Sequence, residues 1–473
     1  MITFISSIVL LILGYIIYGR IVERIFGADH NHATPATTMA DGVDFVTMPW
    51  WKIFLIQFLN IAGLGPIFGA IMGVMFGPAA FLWIVLGSIF GGAVHDYLSG
   101  MLSLRRGGIS LPEIIGQELG GKIKQVMRIF IILITILVGA VFVSGPAGIL
   151  ANMVEAVSAN WWIAIIFTYY ILATLLPIDK LIGNIYPIFG ICLLFMAVGI
   201  CIAIFVNKAP VPELTSGLAS VHPKDYPIFP MMFVSIACGA ISGFHATQSP
   251  LMARCMTNEK YGRPCFYGAM IAEGVVALIW AAAASSFYGS IEGLQEYTAS
   301  LPATANKAAE VVDDISHSWL GPVGGILALL GVVAAPISSG DTALRACRLT
   351  VADILHIEQR SITKRLLITV PIFVIVFILL QVNFDVIWRY FAWANQTLSV
   401  FTLWALTVYL FKEKKNFWIT LIPGLFMTAV SSAYIMVAPE GLHLNQYWGY
   451  GAAAAVCIAF SALFIRFALR YKR

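Results

Sequence analysis

The sequence predicts an all-α polytopic membrane protein of about 13 transmembrane helices, on three observations. Hydrophobic residues make up 60% of the 473-residue chain and charged residues only 11%, with a mean hydropathy of +0.88. A soluble protein carries roughly 25% charged residues, so this chain cannot cover its surface in water and takes lipid as its solvent. Apolar runs of the ~20 residues needed to span a bilayer recur along the whole length. Finally, the basic residues fall almost entirely on one side of the resulting zigzag. A sizeable soluble domain is excluded, and nucleic acid is not an expected partner.

The first span covers 2–18. MITFISSIVLLILGYIIYGR has no basic residue ahead of its apolar run and no small-residue cleavage site, so it reads as a retained helix rather than a signal peptide. Five spans follow at 50–75, 79–104, 126–152, 161–177 and 184–206, and five more at 229–248, 266–288, 320–339, 365–382 and 387–411. The last two lie at 417–437 and 447–469. With loops alternating sides, 24 of the 28 Lys and Arg residues share one side; the other holds only Lys208, Lys224, Lys307 and Arg389. Basic residues favour the cytoplasm, which puts the N-terminus outside and the C-terminus inside. None of the seven cysteines then falls in an outward loop, so no disulfide is expected.

Two spans are unusual. Span 50–75 carries Asn60, Gly63, Gly65 and Pro66 at mid-membrane, and span 229–248 carries Gly239, Ser242, Gly243, His245 and Gln248. Pro removes a backbone donor and Gly weakens a helix interior. Small residues of this kind also serve close helix packing. Their placement points further: each opens a block of five spans, 50–206 and 229–411, flanked by 1–49 and 417–473. Five is odd, so the second block enters from the opposite side. The pattern is an inverted repeat with a broken helix leading each half, a pointer to a transporter binding site. Half-helices starting at Pro66 and near Ser242 aim free N–H groups inward, which suits an anionic substrate group.

Polar groups elsewhere in the spans extend this picture. Asp96 lies nine residues before Arg105 and Glu273 ten after Arg263, so both lie roughly 13–15 Å deep. They occupy matching second helices of the two halves. A charged Asp there costs about 2.5–3.5 kcal/mol, and both are candidate proton carriers or, alternatively, partners in structural hydrogen bonds. His95 and His245 are candidates for proton or substrate contact. Ser338 and Ser339, in AAPISSGDTA, offer oxygen ligands to Na⁺, while Ser-Gly-Asp also reads as turn and N-cap chemistry for 341–356. Asn395 and Gln396 either line a cavity or bond across helices. Ala308, Val311, Val312, Ile315 and Trp319 fall at helical spacing in 289–319 and predict an amphipathic helix over the outer face.

The segments NIAGLGPIFG (60–69), GGAVHDYLSG (91–100), SLRRGGISLPEIIGQELG (103–120), IACGAISGFHATQSP (236–250), YGAMIAEG (267–274) and ISSGDTALRACR (337–348) resemble the CstA family, the carbon starvation proteins; DGVDFV (41–46) and ANQ (394–396) complete the set. The resemblance implies uptake of short peptides or pyruvate across the bacterial inner membrane when carbon is scarce. Its block-of-five architecture looks like the LeuT-type transporter core. Where the family pattern has paired histidines ahead of the first break, this chain has Ile56 and Gln57. The expected function is therefore an H⁺- or Na⁺-coupled symporter, not an enzyme. It has no cofactor beyond the coupling ion, and a homo-oligomer is allowed but not required. The alternative is an intramembrane metal-dependent enzyme or redox protein built on His95, Asp96 and His245. No His-x-x-x-His pair supports it, and His30 and His32 stand without further ligands. A nutrient sensor would need an output domain that the short inward loops do not supply.

Overall fold

The structure is a computed structural model that describes residues 1–471 except 41–44, 155, 176–185, 303–304 and 358–360. Lys180, Arg360, Lys472, Arg473 and the first four residues of DGVDFV, 41–44, thus lie outside the described residues. Among those described, the chain is helical, with one isolated bridge between Met48 and Met256. Among the described residues, nine helices are long and apolar enough to cross a bilayer unbroken, and the bent pair Trp50–Ile61 and Gly65–Val74 makes ten.

Three of the 13 expected spans are not among these ten. Ala159–Leu175 is apolar and borders the undescribed residues 176–185, the 229–248 segment is interrupted, and Phe384–Lys412 carries Asp385, Arg389, Asn395 and Gln396 while burying most of its apolar side chains.

Contacts sort the loops into the two sets that alternation predicts. On one face the N-terminal ammonium and the backbone N–H groups of Ile2 and Thr3 meet Glu213, Gln295 Nε2 donates to Met75 O and Val221 O, and Arg389 pairs with Glu440 at 3.1 Å. On the other, Arg105 holds Glu259 through two bonds of 2.9 Å. Glu118 there accepts from both Arg106 and Lys412, and Arg263 pairs with Glu23 at 3.0 Å. None of the seven cysteines, all of them among the described residues, forms a disulfide.

Glu213 caps the first helix, and these hydrogen bonds hold its carboxyl down at about 2. A depressed carboxyl stabilises the fold fully above the unfolded value, about 4.3, and loses that contribution as pH falls toward 2. The Tm difference between the parent and Glu213→Gln is expected to stay constant from pH 7, where the N-terminal partner is still an ammonium, to pH 5 and to shrink below pH 4. Thermal scans across pH check this.

Of two local expectations, one shifts and one holds. Ser338-Ser339-Gly340-Asp341 does not end a helix: Ala334–Leu355 runs through it, and the kink falls earlier, at Gly321 (φ 58°). A Cβ on Gly340 would overlap the Tyr170 hydroxyl, so this glycine is small for packing and not for turning. The amphipathic helix does form as Lys307–Ala328, with Ala308, Val311, Val312 and Ile315 buried and Trp319 against Phe287 at 5.4 Å.

Candidate functional site

The segments 50–75 and 229–248 are both broken, and the breaks pack on each other. Trp50–Ile61 stops, Ala62–Leu64 leave the helix, and Gly65–Val74 restarts with Pro66 in its first turn, a 45° bend. Pro is harmless there because its missing N–H has no partner to lose. In the second segment the α-helix ends at Ile236, Ala237 takes a positive φ of 43°, a single 3-10 turn covers Ala237–Gly239, and the α-helix resumes only at His245–Ala253. The second half-helix therefore starts at His245 rather than Ser242. A non-glycine residue in that conformation costs on the order of 1–3 kcal/mol and persists only where surroundings hold it.

Those surroundings are polar. Ser88 Oγ donates to Gly239 O at 3.2 Å, Gln396 Nε2 donates to Ile241 O at 2.9 Å, and Gly243 N donates to Asn395 O at 3.0 Å. Among the alternatives for the two amides, Gln396 thus bonds across helices to the unwound chain. Gln396→Leu would leave the Ile241 carbonyl buried and unpaired, at a cost of roughly 1–3 kcal/mol; a lower Tm in detergent is the check. Glycine allows the approach from the other side. A Cβ on Gly65 would overlap Cys238, one on Gly69 the Ile236 carbonyl oxygen, and one on Gly92 the Ala240 oxygen. One on Gly239 would lie 3.5 Å from Pro66 Cα.

The titratable residues converge on this second break. His95 Nδ1 lies 2.8 Å from Asp96 Oδ1, and His245 Nδ1 lies 3.1 Å from Asp96 Oδ2. His245 Nε2 stands 3.6 Å from Glu273 Oε2. All four residues are fully buried, so His95, Asp96, His245 and Glu273 form one row of proton-binding groups. The two carboxyls placed at equivalent depths are joined through the histidine that starts the half-helix. Neither Glu273 oxygen has a hydrogen-bond partner, and His245 Nε2 has none. A 3.6 Å gap between an imidazole nitrogen and a carboxyl oxygen closes to a hydrogen bond with a sub-ångström movement.

At the first break, Ser339 Oγ lies 3.3 Å from both Leu59 O and Asn60 O and 3.0 Å from Ala335 O. Ser338 does not join it: its hydroxyl bonds back to Ala335 O at 2.7 Å, and the residue lines a separate apolar groove with Trp162 and Tyr169. Gly63 faces Phe142 and Pro336. The side-chain amides of Asn60 and Asn395, the Ser242 hydroxyl and the Gln248 oxygen are buried without partners. Such orphans at helix breaks are what an absent polar ligand would leave behind.

Sequence reasoning missed two members of this centre. Gln57 Nε2 donates to Ser249 Oγ at 3.1 Å, linking the two broken segments, and Ser88 braces the second break. The available signal was a lone amide and lone hydroxyls inside otherwise apolar spans. The metal-site candidates His95, Asp96 and His245 do meet, but in a row. Both Nδ1 atoms are occupied by Asp96, and among the described residues no three His, Cys, Asp or Glu side chains are grouped to hold a metal ion. That arrangement does not fit the metalloenzyme alternative.

Interrupted helices around a buried, partly unsatisfied polar centre define a multi-pass membrane transporter. The chain belongs to the CstA family: the family described as carbon starvation protein CstA matches residues 1–157 and 145–321, as the quoted segments led us to expect. Similar proteins include an uncharacterized membrane protein of Haemophilus influenzae, 43% identical over 347 residues that cover 63% of this chain and 94% of that one. Peptide transporter CstA of Campylobacter jejuni is 28% identical over 340 residues, 58% of this chain and 48% of that protein. The protein of that name from Bacillus subtilis is 26% identical over 390 residues, 69% and 65% of the two chains. The match thus spans half to two thirds of these named relatives. Among solved structures, a manganese transporter from Eremococcus coleocola aligns at a TM-score of 0.55 with 14% identity, over 92% of this chain and 99% of that one. That likeness is one of fold alone.

Proposed function

We propose that the chain is a proton-coupled secondary transporter in a bacterial cytoplasmic membrane, N-terminus outside, taking up short peptides or pyruvate-like carboxylates when carbon is scarce. The observation that carries this reading is the buried row His95–Asp96–His245–Glu273, which can gain or lose a proton beside the unwound 237–244 segment. A proton arriving there changes the bonding at His245, the first residue of a half-helix, so protonation and the geometry of the break are mechanically linked. The half-helix starts at Gly65 and His245 present N–H groups suited to a carboxylate, and the orphaned polar atoms of Asn60, Ser242, Gln248 and Asn395 supply further contacts. In this reading 50–206 and 229–411 are the two halves of a LeuT-like inverted repeat. The names of the Campylobacter and Bacillus relatives support peptides as the substrate.

One observation favours Na⁺ as the coupling ion instead: the oxygen cluster of Ser339 with Leu59 O, Asn60 O and Ala335 O at the first break, a donor set of the hard kind that Na⁺ takes. Proteoliposomes given labelled pyruvate or dialanine under separately imposed pH and sodium gradients decide between the two. Accumulation driven by an inward proton gradient supports the proposal. Accumulation driven by sodium alone moves the coupling to Ser339, and accumulation that ignores both gradients ends the coupled mechanism.

A further inference from the structure

Of the four Lys and Arg residues that the sequence sorting puts on the side of the N-terminus, three, Lys224, Lys307 and Arg389, line one cavity of ≈ 380 Å³. The cavity walls come from both broken segments: Phe68 and Met72 lie just after the first break, Val234 and Ser235 just before the second. Its floor is aromatic. Phe68 contacts Phe384 and Trp388 with ring centroids 6.0 and 5.8 Å apart, and Phe384 stacks on Trp388 at 6.0 Å. None of Gly63, Gly65, Pro66 or Gly239–Gly243 lines the cavity, so it is a space apart from the breaks, reached from them through the segments that share its walls.

The charges are arranged around Asp385. Lys224, Lys307 and Arg389 all act on its carboxylate. Arg389 also pairs with Glu440, which accepts from the Tyr434 hydroxyl as well. Among the residues lining the cavity, Lys224, Lys307 and Arg389 stand against Asp385 alone. Glu440 pairs with Arg389 from outside the lining, and Asp225 is exposed and does not line it. Among the described residues neither lysine has an ion pair within 4 Å. The cavity therefore carries net positive charge on a face otherwise poor in it. A recess with low-dielectric walls focuses such a field and raises the local concentration of oppositely charged solutes.

We propose that this vestibule is a recruitment site for small carboxylate-bearing solutes, held by Lys224 and Lys307 above the Phe68–Phe384–Trp388 floor before they reach the breaks. What the site serves rests on the transport reading; its existence and charge preference do not.

The test separates the two. Ala299 is exposed and lines the cavity. In Ala299→Cys protein, thiol modification is timed with an anionic and a cationic methanethiosulfonate of similar size, and the rates of the chain with native cysteines alone are subtracted. The anionic-to-cationic ratio is expected to exceed that of a small free thiol. It should fall about tenfold in the added Lys224→Gln/Lys307→Gln background and flatten in high salt. Pyruvate should slow the anionic reagent unless both lysines are replaced. A ratio at or below the free-thiol value, a ratio that ignores the lysines, or no protection by pyruvate overturns the proposal. Uptake of pyruvate and dialanine by the same lysine variant is expected to show a raised KM with kcat unchanged. If the parent takes up neither probe, the transport reading fails while the reagent ratio still decides the vestibule.

Discussion

Asp96→Asn is expected to abolish proton-driven accumulation while leaving substrate exchange in place. Asp96 is the one residue that touches both histidines, at 2.8 and 3.1 Å, and the amide keeps its size while removing its capacity to hold a proton. One proton crossing a gradient of one pH unit is worth about 1.4 kcal/mol, or roughly tenfold accumulation. At that imposed gradient the accumulation ratio of the variant should therefore drop about tenfold, to unity. Counterflow, which needs the substrate site but no proton movement, should persist. Loss of both in a well-folded variant would make Asp96 part of the substrate site rather than its coupling partner. Glu273→Gln is the companion case: its carboxyl meets the network only through His245 at 3.6 Å.

Gly69→Val is expected to be the most damaging single change at the helix crossing. A Cβ there would overlap the Ile236 carbonyl oxygen and lie 3.1 Å from its carbon and 3.2 Å from Ser235 O. These are backbone atoms at the end of a helix and cannot rotate away. Over-packing usually costs about 1–3 kcal/mol, and branching at Cβ puts valine at the upper end. The displaced element is the unwound 237–244 segment, so uptake should fall together with Tm. Gly121→Ala, whose Cβ meets nothing within 4 Å, should leave both within error. Parallel thermal scans and uptake assays on the two variants check the contrast.

The breaks were readable because a mid-membrane Gly-x-Gly-Pro and a Gly/Ser/His cluster conflict openly with helical hydrocarbon. Their positions repeat between blocks, which no local packing rule demands. Depth along the helix placed Asp96 and Glu273 at one level from residue counting alone. Two things were not readable. The link through His245 depends on which way the first residue of a nine-residue half-helix points, and the periodicity of so short a piece is uninformative. Ser338-Ser339-Gly340-Asp341 has the composition of a turn, yet its glycine answers to the Tyr170 hydroxyl on another helix, a tertiary contact that local preference does not encode. Because that stretch is helical, its consecutive serines point about 100° apart, Ser339 toward the first break and Ser338 toward the groove. On the charged face, sorting the basic residues told which loops share a side. The pairing of Glu259 with Arg105, and of Glu118 with Arg106 and Lys412, emerges only from the packed helices.

The most direct test follows protons instead of substrate. Proteoliposomes loaded with a pH-sensitive dye, with no imposed gradient, are exposed to pyruvate or dialanine while the membrane potential is clamped. Internal acidification that accompanies uptake, and that disappears in Asp96→Asn, is the predicted result. Uptake with no acidification, or acidification equal in the parent and the Asp96→Asn protein, would contradict the assignment of the coupling proton to the buried row at the second break.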